Sequence, residues 1–185
     1  MSLVELADNS RTDKNTVHSY LDLYQQLLVK KKETAKNVLE IGICNGGSIK
    51  LWSDFFINAT VYGIDIMAIE NVWEGIKNKD NIVLYTSTNA YKNEFFMDQL
   101  GNKKFDFMLD DGPHTLESMI QFIQLYSQIM TEDGILIIED VQSVDWLDAL
   151  VQVVPPHLKQ YIKIYDLRPN KQRYDDLVFT IDKLN

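Results

Sequence analysis

Phe105-Asp-Phe-Met-Leu-Asp-Asp-Gly-Pro-His114 decides how this chain reads. An apolar run that ends in two carboxylates, a Gly-Pro turn and a histidine is how a buried parallel strand delivers polar groups to the rim of an α/β sheet. Farther on, Gly134-Ile-Leu-Ile-Ile138 ends in the same way, in Glu139-Asp140. If these two strands are neighbours, Asp110, Asp111, His114, Glu139 and Asp140 share one edge of the sheet.

Outward from these two runs, strand and helix patterns alternate. Residues 37–43, 61–65 and 82–85 read as the first three strands, and 161–165 and 177–181 as the last two. Val17, Tyr20, Leu21, Tyr24, Leu27 and Leu28 recur at three- and four-residue spacing, which predicts a helix over 16–32 with one buried face and a solvated end at Lys30-Lys31-Lys32. Further helices are expected after the first strand (Ile49, Leu51, Trp52, Phe55 and Phe56 as core contacts), near 69–77, over 92–100, through Met119, Phe122, Ile123 and Tyr126, and over 143–152. Such alternation predicts an α/β fold, a doubly wound, mostly parallel seven-stranded sheet with helices on both faces. The last two strands are joined by residues 166–176, with Pro169 and Asn170 between them, too tight for a crossover helix. They are expected to form an antiparallel edge hairpin.

A chain of 185 residues with 45% hydrophobic composition fits one domain over 1–185, with a polar N-terminal segment at 1–15. Its net charge of −9 repels a phosphate backbone, so no nucleic-acid partner is expected. A single cysteine, Cys44, excludes an internal disulfide and is compatible with a reducing compartment. There is no basic and apolar leader and no apolar run of about 18 residues, so the expectation is a soluble cytoplasmic protein without a membrane partner.

Glu40-Ile-Gly42-Ile-Cys-Asn-Gly46-Gly47-Ser48 is a glycine-rich turn from strand to helix, where a ligand can approach backbone N–H groups. It is not the dinucleotide fingerprint, because the second glycine of that pattern falls at Cys44. Asp65, at the end of the second strand, stands where a carboxylate reaches both hydroxyls of a ribose. The pair points to a nucleoside-type cofactor without a pyrophosphate, such as S-adenosylmethionine; a tight turn with no ligand is the plain alternative. Asp111, Glu139 and Asp140 offer oxygen only, which suits Mg²⁺, Mn²⁺ or Ca²⁺ and disfavours zinc. Neighbours on a regular strand face opposite ways, so Glu139 and Asp140 share one ion only where the strand breaks into loop. The alternative for these carboxylates, for Asp110 above all, is capping the helices that follow. His114 is the candidate base, whereas His18 and His157 read as structural. Trp52, Trp73 and Trp146 read as packing residues, with Trp146 also a candidate for substrate contact.

Taken together these residues resemble the metal-dependent class I O-methyltransferases that modify sugars of macrolide antibiotics, the mycinamicin and macrocin type. The resemblance spans residues 10–182. It is carried by Thr12-Asp13-Lys14, Leu39-Glu-Ile-Gly42, Gly46-Gly47-Ser48, Tyr62-Gly-Ile-Asp65, Asp110-Asp-Gly-Pro-His114, Ile138-Glu-Asp140 and Tyr174-Asp-Asp-Leu177. It implies strand order 3-2-1-4-5-7-6, Mg²⁺ (or Mn²⁺) on Asp111, Glu139 and Asp140, and His114 as general base. It further implies S-adenosylmethionine on Glu40, Gly42, Gly46, Gly47, Ser48, Asp65 and Asp110. Asp13 and Lys14 become substrate candidates. The chain departs from the family at Arg11, where a glycine is usual, and at Thr86-Ser87-Thr88, where Gly-Asp-Gln is usual.

The expected activity is methylation of a hydroxyl on a small molecule, a sugar or a nucleotide-linked sugar, with homo-oligomerisation left open. Two alternatives stand beside it, a non-catalytic cofactor- or partner-binding module and, opposed by Cys44, a nicotinamide dehydrogenase. Arg168, Lys171 and Arg173 on the loop Asp166–Asp176 read either as an exposed basic loop or as cations that hold a phosphate or carboxylate of the acceptor.

Overall fold

The computed structural model describes residues 1–184, in two compact units. Seven strands form one sheet in the order β3-β2-β1-β4-β5-β7-β6, as expected.

The first unit, Met1–Thr88, runs α1 (Leu3–Leu6), α2 (Tyr20–Leu28), β1 (Asn37–Ile41), α3 (Gly47–Phe55), β2 (Thr60–Ile64), α4 (Glu74–Lys77) and β3 (Ile82–Tyr85). Its strands pair in parallel, β1 on β2 and β2 on β3. Val38, Leu39, Val61 and Ile64 are buried along the strands, and Ile49, Leu51, Trp52 and Phe55 along α3. Each large apolar side chain so buried contributes roughly 1.5–3 kcal/mol.

The helix expected over 16–32 is shorter. The N–H groups of Thr16, Val17 and His18 all bond the Asp13 carbonyl in a tight turn, so α2 starts only at Tyr20 and Val17 is left exposed. Beyond Leu28 a 3₁₀ turn, Val29–Lys31, follows. The lysine end is not uniformly solvated. Lys31 is buried and partnered within the fold, and the Lys32 ammonium reaches the Met1 carbonyl at 2.9 Å. The helix expected near 69–77 is a 3₁₀ turn, Ile69–Asn71, followed by α4.

The second unit, from Asn89 on, runs α5 (Asn93–Phe95) into a π-helical turn (Phe96–Leu100), then β4 (Phe105–Asp110), α6 (Leu116–Tyr126), β5 (Met130–Ile138), α7 (Leu147–Val153), β6 (Ile162–Asp166), α8 (Arg168–Lys171) and β7 (Leu177–Asp182). Every residue of β4 is buried, as a strand covered on both faces requires. β4 and β5 are parallel with Asp110 opposite Ile138, and a register shift between Phe105 and Phe107 lets β5 begin earlier than its apolar run. Thr115 starts α6 by accepting the Ser118 N–H at 3.1 Å.

β7 is antiparallel to both β5 and β6. Two reversals make β6 parallel to β5, so the carboxyl end of β6 at Asp166 lies on the same rim as the ends of β4 and β5. Among the described residues no helix is long and apolar enough to cross a membrane.

Candidate active site

Past the paired ends Asp110 and Ile138 the backbone turns sharply, with His114 at φ 54° and Asp140 at φ 55°. Left-handed backbone costs a non-glycine residue roughly 1–2 kcal/mol, so its use at both strand ends is a local expense that the surrounding structure must outweigh. The turns bring together side chains far apart in sequence. One ligand atom each from Asp111, His114 and Asp140 lies within 4.8 Å of the others, and His114 Nε2 is 3.7 Å from both Asp111 Oδ1 and Asp140 Oδ2. The imidazole is 30% exposed, enough to meet a ligand. Glu139 is buried beside Asp140 and is not among these three residues.

Asp110 faces inward. It is buried, and the Tyr91 phenol donates to its Oδ1 in a short hydrogen bond. Burial pushes its carboxyl up to about 7; the Asp111 charge adds to that rise, while the bonds from Tyr91 and the Gly112 N–H oppose it. Burial and the Asp110 carboxylate likewise drive the Tyr91 phenol far above its ordinary range. A Cβ at Gly112 would sit 2.1 Å from the Tyr91 oxygen, so the glycine makes room for this bond. Asp110, a cofactor candidate from the sequence, has Tyr91 as a partner through Oδ1. Nothing in spacing or composition marked Tyr91, because it lies in a loop and meets Asp110 only through the fold.

In the first unit the glycine-rich turn joins β1 to α3. Gly42 and Gly46 have φ of 102° and 77°, values that favour glycine, and Cys44 between them is also left-handed. Gly47 opens α3, and a Cβ on it would lie 2.5 Å from the Arg11 backbone carbon, so its bareness serves close packing of the N-terminal segment. Ser48 is buried on the first turn of α3. The Arg11 guanidinium lies 3.8 Å above the Trp73 ring, a cation–π contact on a tryptophan that sequence alone assigned to packing.

Asp65 organises the turn from below. Its Oδ2 accepts the N–H of Ile43 at 2.7 Å and of Cys44 at 3.2 Å, and its Oδ1 accepts that of Met67 at 2.9 Å. A carboxylate has about four acceptor sites, so roughly one remains, on Oδ1. Thr88 N–H bonds the Asp65 carbonyl and Ser87 N–H the Met67 carbonyl, which pins Thr86-Ser87-Thr88 beside this acid.

Glu40 and Lys14 were candidates for cofactor and substrate. Both are fully buried, Lys14 Nζ lies 3.5 Å from Glu40 Oε1, and Trp52 Nε1 donates to Glu40 Oε2 at 2.7 Å. The chain surrounds this ion pair, and neither residue presents a surface to a ligand. Asp13 stays exposed, 3.8 Å from His18 Nε2. Trp146 is half-buried in a 3₁₀ turn leading into α7.

Arg168 and Arg173 stand on the rim as expected, yet each is already paired in two-pronged fashion. Arg168 Nε and Nη2 bond Asp166, and Arg173 Nε and Nη2 bond Asp175. Tyr174 donates to Gln142 Oε1 at 2.8 Å, and Gln142 Nε2 donates to the Asp140 carbonyl at 3.3 Å.

No family model matches the chain. It is similar to the 8-demethyl-8-α-L-rhamnosyl tetracenomycin-C 2'-O-methyltransferase of Streptomyces olivaceus, at 25% identity over 151 residues, 78% of this chain and 39% of that one. It is 26% identical over 155 residues to the mycinamicin VI 2''-O-methyltransferase of Micromonospora griseorubida, 78% of this chain and 37% of that one. The chain therefore spans less than two-fifths of the length of these relatives. Among solved structures, the methyltransferase MycE of the mycinamycin biosynthetic pathway, in complex with Mg and SAH, superposes with a TM-score of 0.74 at 21% identity, covering 98% of this chain and 54% of that one. The fold is that of the class I methyltransferases, and the chain is a distant homologue of sugar O-methyltransferases.

Proposed function

We propose that the chain acts as one methyltransferase domain, transferring a methyl group from S-adenosylmethionine to a hydroxyl of a small molecule, a sugar or nucleotide-linked sugar, with the help of Mg²⁺ or Mn²⁺. The observation that carries this reading is the convergence of Asp111, His114 and Asp140 past two neighbouring strand ends. Distant kinship with enzymes named for sugar O-methylation supports it.

The donor set fits a hard cation, since two carboxylates dominate it and one imidazole stands beside them. Asp111 and Asp140 would hold the ion, and Glu139, buried next to Asp140, would add negative charge nearby. When bound, the cation lowers the pKa of an acceptor hydroxyl and fixes its position. His114 Nε2, 3.7 Å from both Asp111 Oδ1 and Asp140 Oδ2, would take the proton of the acceptor hydroxyl. In the first unit the Gly42–Ser48 turn, exposed at Cys44 and Asn45, and the remaining acceptor site of Asp65 would receive the nucleoside part of the donor. A sulfonium is a good leaving group, so the residues contribute position and deprotonation rather than covalent catalysis.

The test is transfer of labelled methyl from S-adenosylmethionine to a panel of glycosides and nucleotide-linked sugars, with Mg²⁺, with Mn²⁺ and with excess chelator. Metal-dependent label in a sugar product is expected. Label that forms equally well in chelator would remove the cation from the reading, and no product with any acceptor while SAH binds would favour a non-catalytic module.

A further inference from the structure

In the second unit the turn from β4 to α6 carries both Asp111 and His114, and little of it is packed. Asp111, Gly112 and His114 are half-buried and Pro113 is exposed. His114 nevertheless holds left-handed backbone at φ 54°. Apolar burial anchors both ends of the stretch, β4 through Leu109 and α6 through Met119 and Phe122. The middle, Gly112-Pro113, offers no long apolar side chain to bury, so its conformation needs another support.

Tyr91 supplies it. Its phenol donates to Asp110 Oδ1 and Asp110 also accepts the Gly112 N–H, so one carboxylate ties Tyr91 to the middle of the turn. The Asp110 carbonyl accepts the Glu139 N–H at 3.3 Å, which joins the same residue to the chain just before Asp140. A Cβ at Gly112 would lie 3.0 Å from Asp110 Oδ1 and closer still to the Tyr91 oxygen, so that oxygen is packed directly against the turn.

Tyr91 is itself held in place. The Asn89 side-chain oxygen accepts the Tyr91 N–H at 3.0 Å, an Asx turn. The Tyr126 phenol donates to the Ala90 carbonyl at 2.8 Å, and the buried Tyr126 ring packs 5.4 Å from that of Phe96 and 4.8 Å from that of Phe122. Tyr126 is the last residue of α6, the helix that Thr115 caps immediately after His114. The path from Tyr91 to Asp110, through the turn, along α6 to Tyr126 and back to Ala90 is a closed frame. Within it the turn can shift only if a hydrogen bond breaks or the helix moves.

We propose that Tyr91 is a positioning residue for Asp111 and His114, its hydroxyl bracing the turn that sets the imidazole 3.7 Å from both the Asp111 and Asp140 carboxylates. The proposal rests on the methyl-transfer reading for its kinetic consequence, whereas the bracing itself is measurable without turnover. Tyr91→Phe keeps the ring, removes the oxygen, and leaves a space above Gly112 with one donor fewer on Asp110. A reacting group misplaced by about 1 Å can cost about 10²-fold in rate, so the loss should appear in turnover rather than in cofactor binding.

Relaxation-dispersion NMR on the metal-free whole chain tests the brace. The Gly112 and His114 amides should be flat in the native protein and show millisecond exchange in Tyr91→Phe, with the amides of α7 flat in both. With an acceptor that the labelled-methyl panel identifies, Tyr91→Phe should lower kcat roughly 10–100-fold and leave the KM for S-adenosylmethionine unchanged, at a temperature where both proteins are fully folded. Gly112→Ala gives a second reading. It should lower kcat in the native background, where the new methyl group meets the Tyr91 oxygen, and lower it no further in Tyr91→Phe, where that oxygen is gone. A flat profile at Gly112 and His114 in Tyr91→Phe, native kcat despite exchange there, or losses from the two substitutions that simply multiply would each overturn the proposal. Exchange confined to the turn of Tyr91→Phe, in a protein that methylates no acceptor, would uphold the brace and overturn the enzymatic reading instead.

Discussion

The phenol of Tyr91 donates to Asp110 Oδ1 across a gap that exists only because residue 112 is a glycine. The bond favours the carboxylate form of a group that burial pushes up to about 7. A raised pKa means the folded chain binds this proton more tightly than the unfolded one, so stability falls as pH rises from the ordinary carboxylate range, about 4, to about 7. Tyr91→Phe removes a partner of the charged form. In chelator it should cost roughly 1–3 kcal/mol near pH ~8 and distinctly less near pH ~5, where Asp110 carries a proton. Urea unfolding at the two pH values measures this; equal losses would show that Asp110 does not titrate between them.

Binding of the proposed cation can be tested apart from catalysis. Mg²⁺ or Mn²⁺ should raise the melting temperature of the native protein, by an amount that grows with concentration as mass action requires. Asp111→Asn and Asp140→Asn should each abolish that rise while SAH still binds. A melting temperature indifferent to both ions would remove the metal from this site.

His114→Ala should lower kcat by about 10²–10⁴-fold, the usual worth of a positioned general base, with SAH affinity kept. Single-turnover rates close to native in the variant would make His114 a structural residue.

Asp65→Ala should weaken SAH binding by roughly 1–3 kcal/mol, as judged by calorimetry. Its carboxylate holds the N–H groups of Ile43, Cys44 and Met67, so the same variant should also speed hydrogen exchange at those amides. Unchanged SAH affinity together with fast exchange would confine Asp65 to shaping the turn.

Much of this was legible in the sequence, and the reasons differ by residue. The strands were readable because buried parallel strands are nearly pure apolar runs, as Phe107-Met108-Leu109 and Ile135–Ile138 show. The edge hairpin was readable from the shortness of its connection. The meeting of Asp111 with Asp140 followed from two neighbouring strand ends. What escaped was whatever depends on where a long side chain comes to rest. Lys14 and Glu40 read as ligand-facing and instead close on each other in the interior. Arg168 and Arg173 read as spare cations, and the carboxylates that occupy them sit only two residues away in each case, a spacing that pattern analysis of helices and strands does not test. Val17 fits the helical spacing, but a turn closed by the Asp13 carbonyl overrides it.

Four residues other than glycine, Cys44, Ser87, His114 and Asp140, adopt left-handed backbone just beyond the carboxyl ends of β1, β3, β4 and β5. Heat selection acting on random variants, blind to turnover, should therefore find its easiest gains at these addresses, since glycine there relieves the backbone at little steric cost. On the methyl-transfer reading proposed above, such survivors would be sturdier but would have lost the base at His114 or a cation ligand at Asp140. On that same reading, a lineage released from the proposed reaction would drift along the same path, and glycine at these two places in a descendant would mark a fold kept without it.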